Sequence, residues 1–276
     1  MLTAENLFEK SLETAKFLQS KVNYTPEYAI VLGSGLGSLV EDIDVELEIP
    51  YKEIPNFPVS TVKGHKGSLI FGELNGKKIV AMNGRFHYYE GYNMKEVTFP
   101  ERVFWQMGIR KLIVSNASGG VNTSFNIGDV MLINDHINFF PEHPLRGPND
   151  ERFGPRFVNM SEPYSKAMLK VVKDYAAEKN IKIQEGVYLG LQGPTFETLA
   201  EYTMVRNVGG DAVGMSTVPE VIVAKHMDME VFGISVITDL GTAEFIEEVN
   251  HKEVLKAAKA AEPIVRELVA KLVEKY

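Results

Sequence analysis

The sequence predicts an α/β fold with a mixed central β-sheet flanked by helices. Three observations carry that expectation. Short apolar, β-type runs alternate with stretches of helical periodicity, as in chains that wrap helices around a sheet. One pair of runs, Ser68–Leu74 and Lys78–Met82, flanks Asn75-Gly76, a strong hairpin signal, so the sheet is not purely parallel. No repeat, low-complexity tract or linker interrupts the pattern, which makes residues 1–276 one expected domain.

In chain order, Leu7, Leu12, Ala15, Phe17, Leu18 and Val22 share one broad face, so about 4–22 reads as an amphipathic helix. Tyr28–Leu32 is a short apolar strand running into Gly33-Ser34-Gly35-Leu36-Gly37. After the hairpin, further strands are expected at Lys111–Ser115, Gly128–Ile133, Val187–Leu191 and Val231–Thr238. Helical periodicity lies between them at about 95–107, 163–179, 197–207 and 218–228, and a long helix closes the chain at about 251–275. The stretch 139–163 holds five prolines and lacks periodicity; loops of that length are functional or form contacts between subunits.

Composition narrows the function classes. Among 276 residues, 29 Lys and Arg against 37 Asp and Glu give a net charge of −8, which disfavours bulk attraction to nucleic acid or anionic lipid. Any bound anion must be held by a few local groups. The absence of cysteine excludes disulfides, thiolate nucleophiles and Cys-ligated zinc. The first twenty residues carry charges throughout, unlike a signal peptide, and no run approaches the ~18 apolar residues of a membrane helix. A soluble, cytoplasmic chain is expected.

Several loops carry residues suited to chemistry. Gly33–Gly37 follows a strand and reads either as an anion-binding turn or as a plain turn. A dinucleotide site is disfavoured, because the fingerprint needs glycine where Ser38 stands. His65, Arg85 and His87 sit in glycine- and aromatic-rich loops within 23 residues. Arginine forks onto phosphate oxygens and histidine can donate to the same anion; the alternative is a solvated surface. Extended backbone would put Arg85 and His87 on one side.

Asn116-Ala117-Ser118-Gly119-Gly120 lets a ligand approach the end of a strand, or is simply a turn. Ser216 and Thr217, before Val218-Pro219, suit an anion at a helix start or merely cap that helix. Glu197 opens a helix, where it either complements the dipole or serves a site. Asp239 directly follows an apolar strand. His136 and His143 lack the carboxylate spacing that would make them metal ligands, so no metal is expected. Met160, Met168, Met204 and Met215 read as core or pocket lining.

Taken together, these segments resemble the trimeric class of purine nucleoside phosphorylases. The matching words are GSGLG (33–37), IPNFPVSTVKGHKG (54–67), GRFHYYEGY (84–92), NASGGVN (116–122), GDVMLINDHIN (128–138), PLRGPNDERFG (144–154), GPTFET (193–198), DAVGMSTVPEV (211–221) and NHKEVL (250–255). They run nearly end to end, in order. The resemblance implies the nucleoside phosphorylase fold, a homotrimer, and reversible phosphorolysis of purine (2′-deoxy)ribonucleosides to free base and α-pentose 1-phosphate. Orthophosphate would be a co-substrate, with no cofactor.

Carried over by position, the resemblance gives phosphate to Ser34, His65, Arg85, His87, Ala117 and Ser216. It gives the ribose to Tyr89, Met215 and His251, with Asn116 also on the nucleoside, and the base to Glu197 and Asp239. Tyr188 would line the pocket, and Phe157 would reach in from a neighbouring subunit. His87, Glu197 and Asp239 would be the catalytic groups.

Asp239 departs from the pattern, since members that prefer 6-oxopurines usually have Asn there. An ionised carboxylate facing N7 and O6 is unfavourable in a dry pocket. Either Asp239 is protonated and donates to N7, or it accepts from a 6-amino group. Glu197, an acceptor for N1–H, favours the first, so guanosine and inosine are expected ahead of adenosine. The alternatives are a methylthioadenosine phosphorylase-like enzyme, which His251 disfavours as a polar lining for a methylthio group, and a noncatalytic nucleoside-binding protein. A dinucleotide-dependent oxidoreductase falls with Ser38.

Overall fold

The computed structural model describes residues 2–34, 36–59, 67–241 and 250–276, and for His251 the backbone alone. Among the described residues, nine strands form one mixed sheet. They are β1 (Tyr28–Val31), β2 (Asp44–Pro50), β3 (Ser68–Leu74), β4 (Lys77–Asn83), β5 (Lys111–Gly120), β6 (Val130–Asn138), β7 (Gln184–Gly190), β8 (Ala212–Gly214) and β9 (Glu230–Leu240). Helices α1 (Leu7–Gln19), α2 (Met94–Val97), α3 (Phe99–Gln106), α4 (Lys166–Lys179), α5 (Leu199–Asn207), α6 (Val218–His226) and α7 (His251–Lys275) surround it. No described helix is long and apolar enough to cross a membrane.

The expected hairpin is present. Asn75 and Gly76 both take positive φ, 50° and 81°, and Leu74 pairs with Lys77. The helix expected at about 95–107 is split at Thr98, because Pro100 has no N–H to continue the ladder begun in α2. Glu197 lies just outside α5: the helix is capped by Thr198, whose hydroxyl accepts from Glu201 N while the Glu201 carboxylate accepts from Thr198 N. One strand escaped the sequence pattern: β2 is acidic and largely exposed. β8, which ends at Gly214 just before the turn into α6, has only three residues.

The topology determines where a cavity can form. Strands β5, β8, β7, β6 and β9 pair in a closed ring, while β2-β3-β4-β1 extends from β5 as an open wing. β9 covers one edge of β5 from Lys111 to Gly120. The other edge is shared: β1 takes Lys111–Val114 in parallel, and β8 takes Gly119 and Gly120 antiparallel. Between them, Ser115–Ser118 has no strand on that edge. This is the crevice at a switch in strand order where α/β sheets accept ligands.

Register adds a second feature. Ser118 pairs with Ile237 and Gly119 with Asp239, so Thr238 is the extra residue of a bulge. The bulge turns both Thr238 and Asp239 toward the crevice.

Gly33 lies close against β5. A Cβ built on it would lie 2.6 Å from the Ser115 carbonyl oxygen and 2.7 Å from Asn116 Cα, both backbone atoms that cannot swing aside. Gly33→Ala is expected to cost about 1–3 kcal/mol, the usual range for overpacking, as a lowered urea midpoint with unchanged slope. A midpoint equal to that of the parent would show that the β1–β5 junction yields freely.

Candidate active site

The crevice opens into a cavity of about 380 Å³. Six segments converge on it: the loop after β1 (Ser34), the segment after β4 (Arg85, His87, Tyr89), the free edge of β5 (Asn116 to Gly119), the loop before α5 (Pro194, Phe196, Glu197), the β8–α6 junction (Val213 to Ser216) and the β9 bulge. Val254, one turn into α7, closes the wall.

Arg85 is 1% exposed and Glu220, on α6, is 3% exposed. Their contact is bidentate: Nε donates to Oε1 at 3.2 Å and Nη2 to Oε2 at 3.0 Å, which fixes the plane of the guanidinium. Nη1 donates to the Ser115 carbonyl at 2.6 Å, which satisfies the unpaired edge of β5. Glu101, buried beside the pair, is held well above the usual carboxylate range, first by burial and then by the Glu220 charge.

His87 is buried and stacks on Tyr89 with ring centroids 4.7 Å apart. Its backbone N–H donates to Glu90 Oε1 at 2.8 Å, and its Nδ1 lies 3.0 Å from the same oxygen. Burial lowers the imidazole pKa, opposed in part by Glu90. With Nδ1–H directed at a carboxylate, Nε2 of the neutral ring is an acceptor.

Ser216 is presented by an unusual turn. Thr217 has φ 72° and ψ −54°, a left-handed conformation that β-branched residues avoid. Val218 N donates across it to Ser216 O at 2.8 Å, closing the rarer, strained form of γ-turn. Neither hydroxyl caps α6. Instead Ser216 Oγ and Thr217 Oγ1 lie 3.0 Å apart, and Asn116 Nδ2 donates to Thr217 Oγ1 at 2.8 Å. Asn116 Oδ1 in turn accepts from Ser235 Oγ at 2.5 Å, and Ser118 Oγ lies 2.6 Å from Ser235 Oγ. This buried chain sets the orientation of the strained turn from β5 and β9.

Glu197 and Asp239 face the same cavity. Burial, then the Asp239 charge, pushes Glu197 from 4.5 to about 7, with a Tyr202 hydrogen bond opposing. Burial also raises Asp239, against hydrogen bonds from Thr238 and Tyr202. Tyr202, on α5, donates to Asp239 Oδ2 at 3.2 Å. Gly119 makes room: a Cβ there would lie 2.8 Å from that carboxylate oxygen.

The structure thus gathers Ser34, Arg85, His87, Tyr89, Asn116, Ala117, Glu197, Met215, Ser216 and Asp239 into one cavity. Tyr188 stands one layer behind, fully buried, its hydroxyl accepting from Ser216 N at 3.4 Å; it supports the wall rather than lining it. Phe157 is 89% exposed and lies on a separate surface cavity with His136, His143 and Arg156. His65 lies outside the described residues, as does the His251 side chain. Glu220 and Tyr202 were not singled out in the sequence. Glu220 reads there as an ordinary first-turn acid, and Tyr202 as a core aromatic at helical spacing. Among the described residues no three His, Asp or Glu side chains cluster as metal ligands.

With this geometry in place, comparison with known proteins is informative. The profile of the phosphorylase superfamily matches residues 27–274. A purine nucleoside phosphorylase 1 of Geobacillus stearothermophilus is 51% identical, over 90% of both chains. The purine nucleoside phosphorylase of Mus musculus is 50% identical, over 98% of this chain and 96% of its own. Among solved structures, a Schistosoma mansoni purine nucleoside phosphorylase in complex with adenosine superposes with a TM-score of 0.92 at 40% identity, over 97% of each chain. A schistosome purine nucleoside phosphorylase in complex with hypoxanthine gives the same score and identity over 100% and 99%.

The raised pKa of Glu197 has a signed consequence for stability. Between 4.5 and about 7 the folded chain holds this proton more tightly than the unfolded chain does. The group's contribution to stability therefore falls as pH rises through that window. Glu197→Gln removes the titration, so the variant should gain on the parent in denaturant midpoint from pH 5 to pH 8. Parallel pH profiles would mean that Glu197 ionises without cost.

Proposed function

This chain belongs to the phosphorylase superfamily and, within it, to the purine nucleoside phosphorylases, and on that premise we propose how its cavity performs phosphorolysis. The enzyme transfers the pentosyl group of a purine nucleoside to orthophosphate. The observation that carries the assignment of roles is the polarity of the cavity. Arg85, His87, Ser34 and Ser216 offer an anion site, and Glu197 and Asp239 offer two desolvated carboxyls to a base.

Phosphate sits against Arg85, the hydroxyls of Ser34 and Ser216, and the backbone N–H of Ala117. His65 joins them on the resemblance alone. Glu220 holds the Arg85 fork rigid, which spares the phosphate the entropy of ordering a long side chain. His87 Nε2, an acceptor because Glu90 takes Nδ1–H, receives the hydroxyl proton of hydrogen phosphate and leaves oxygens free to attack. Tyr89 and Met215 fix the ribose between the two ends, with Asn116 anchoring the turn beneath it and His251 meeting the 5′-hydroxyl.

Breaking the glycosidic bond leaves positive charge on the sugar and negative charge on the purine. The phosphate anion stabilises the first from the opposite face. Protonated Asp239 donates to N7 and stabilises the second, while ionised Glu197 accepts from N1–H. One C–N bond breaks, one C–O bond forms, and phosphate is the only co-reactant, so no cofactor enters the balance. Guanosine and inosine lead; adenosine follows. Relatives at 40% identity hold adenosine in one structure and hypoxanthine in another, which supports a site able to take both bases. Phe157, exposed on its own subunit, completes the cavity of a neighbour in a homotrimer.

Two measurements check this reading. Release of base from inosine, guanosine and adenosine should require orthophosphate and be fastest with the 6-oxo pair. Cleavage without phosphate, or none at all, would overturn it. Light scattering should give the mass of three chains. A mass of one chain of 30.8 kDa would remove both the trimer and the role of Phe157.

A further inference from the structure

The hydrogen bonds behind the strained turn run in one direction, fixed by five side chains. Asn116 pairs with Ser235 across the β5–β9 ladder, and Ser118 lies two residues on, on the same face of β5. Ser118 Oγ is 2.6 Å from Ser235 Oγ, and Ser235 Oγ is 2.5 Å from Asn116 Oδ1. The other end of the Asn116 amide is 2.8 Å from Thr217 Oγ1, which is 3.0 Å from Ser216 Oγ. Ser235 and Thr217 are buried behind the cavity wall, whereas Ser216 is half-buried and lines the cavity.

The two ends of an amide have the same outline but opposite chemistry: the oxygen accepts and the nitrogen donates. A separation of 2.5 Å fits an O–H···O bond and is too short for N–H···O, so the oxygen faces Ser235. Ser235 has one proton to give, and Asn116 Oδ1 takes it. The proton between the two serines therefore comes from Ser118. Asn116 Nδ2 in turn donates to Thr217 Oγ1. Thr217 is buried and must place its own proton; its hydroxyl does not cap α6, and the partner within reach is Ser216 Oγ. Ser216 Oγ thus accepts from the protein, which leaves its own proton for the cavity. With the amide turned over, Thr217 would donate to Asn116 and accept from Ser216. Ser216 would then meet an anion with its lone pairs.

We propose that Ser235 is a positioning residue for phosphorolysis: it holds the Asn116 amide in one orientation, and through Thr217 that orientation makes Ser216 a hydrogen-bond donor to orthophosphate. The inference rests on the reading of the Arg85 end of the cavity as the phosphate site. A hydroxyl whose proton is already aimed outward need not be reoriented when the anion arrives. Each bond in the chain also polarises the next in the same sense, which strengthens the last donor.

The test is a double-mutant cycle read in KM for phosphate at saturating inosine. Ser216→Ala removes the donor and should raise this KM about ten- to a hundredfold, the effect of one hydrogen bond to a charged group. Ser235→Ala frees the amide and should raise it about tenfold, while KM for inosine at saturating phosphate stays within about twofold of the parent. In the Ser216→Ala background, Ser235→Ala should alter KM for phosphate by less than about twofold, because the donor it aims is gone. Equal factors in both backgrounds, or parallel rises for phosphate and inosine, would make Ser235 a structural residue and overturn the proposal.

Where Ser235→Ala fails to fold, Thr217 tests the relay from its other end. Thr217→Val keeps the branched shape without the hydroxyl and should raise KM for phosphate by a similar factor; Thr217→Ser, which keeps the hydroxyl, should recover most of that loss. An unchanged KM in Thr217→Val, or an equal rise in Thr217→Ser, would also overturn the proposal. An unchanged KM for phosphate in Ser216→Ala would instead remove Ser216 from the phosphate site, and this inference with it.

Discussion

The free edge of β5 is the constraint from which the rest of the site follows. A strand buried inside a sheet must have its N–H and C=O groups paired, and Ser115–Ser118 has a strand on one edge only. The missing partners come from side chains and loops. Arg85 donates to the Ser115 carbonyl, and the Gly33 N–H donates to the Ser115 hydroxyl beside it. Each of these groups brings its own chain segment to the gap. The cavity is thus bounded by residues recruited first to complete the sheet. The guanidinium is buried because β5 requires a donor there, and Glu220 is buried because the guanidinium requires an anion.

Much of this was legible in the sequence, and what was not has physical causes. The strands of the wing and ring appear as apolar runs because both faces are covered, and Asn75-Gly76 announces its hairpin through the positive φ it needs. β2 did not appear, because Asp44, Glu46 and Glu48 lower its β character on an exposed edge. Arg85, His87 and Asp239 could be picked out because charged residues after apolar strands sit at sheet ends, and Glu197 because it stands at the opening of a helix. Depth was not legible. Tyr188 and Tyr202 are both aromatics on regular elements, yet the first backs the wall and the second donates to Asp239. Glu220 sits in a first helical turn where a carboxylate needs no further explanation, and only the fold reveals its cation.

Three unfavourable features of the fold lie at or beside one cavity. Thr217 carries a strained γ-turn, a bulge interrupts the β5–β9 ladder, and two carboxyls are desolvated beside one another. Such features persist only where the surroundings over-determine them. Here the chain Thr217–Asn116–Ser235–Ser118 ties the turn to two central strands, and the closed ring of β5 to β9 leaves those strands no freedom to relax.

The two ends of the cavity solve one problem, the burial of ionisable groups, in different ways. At the Arg85 end the cation is matched within the protein by the bidentate contact with Glu220. That contact fixes the plane of the guanidinium before a ligand arrives. At the Asp239 end two desolvated acids face the same cavity, and the Tyr202 hydroxyl donates to Asp239 Oδ2. A rigid end suits a substrate that never changes, and phosphate is common to every turnover. The end lined by Glu197 and Asp239 suits a partner whose donors and acceptors differ between members of a class, as they do between 6-oxo and 6-amino purines. A substitution at Asp239 bears on that end without touching the Arg85–Glu220 pair.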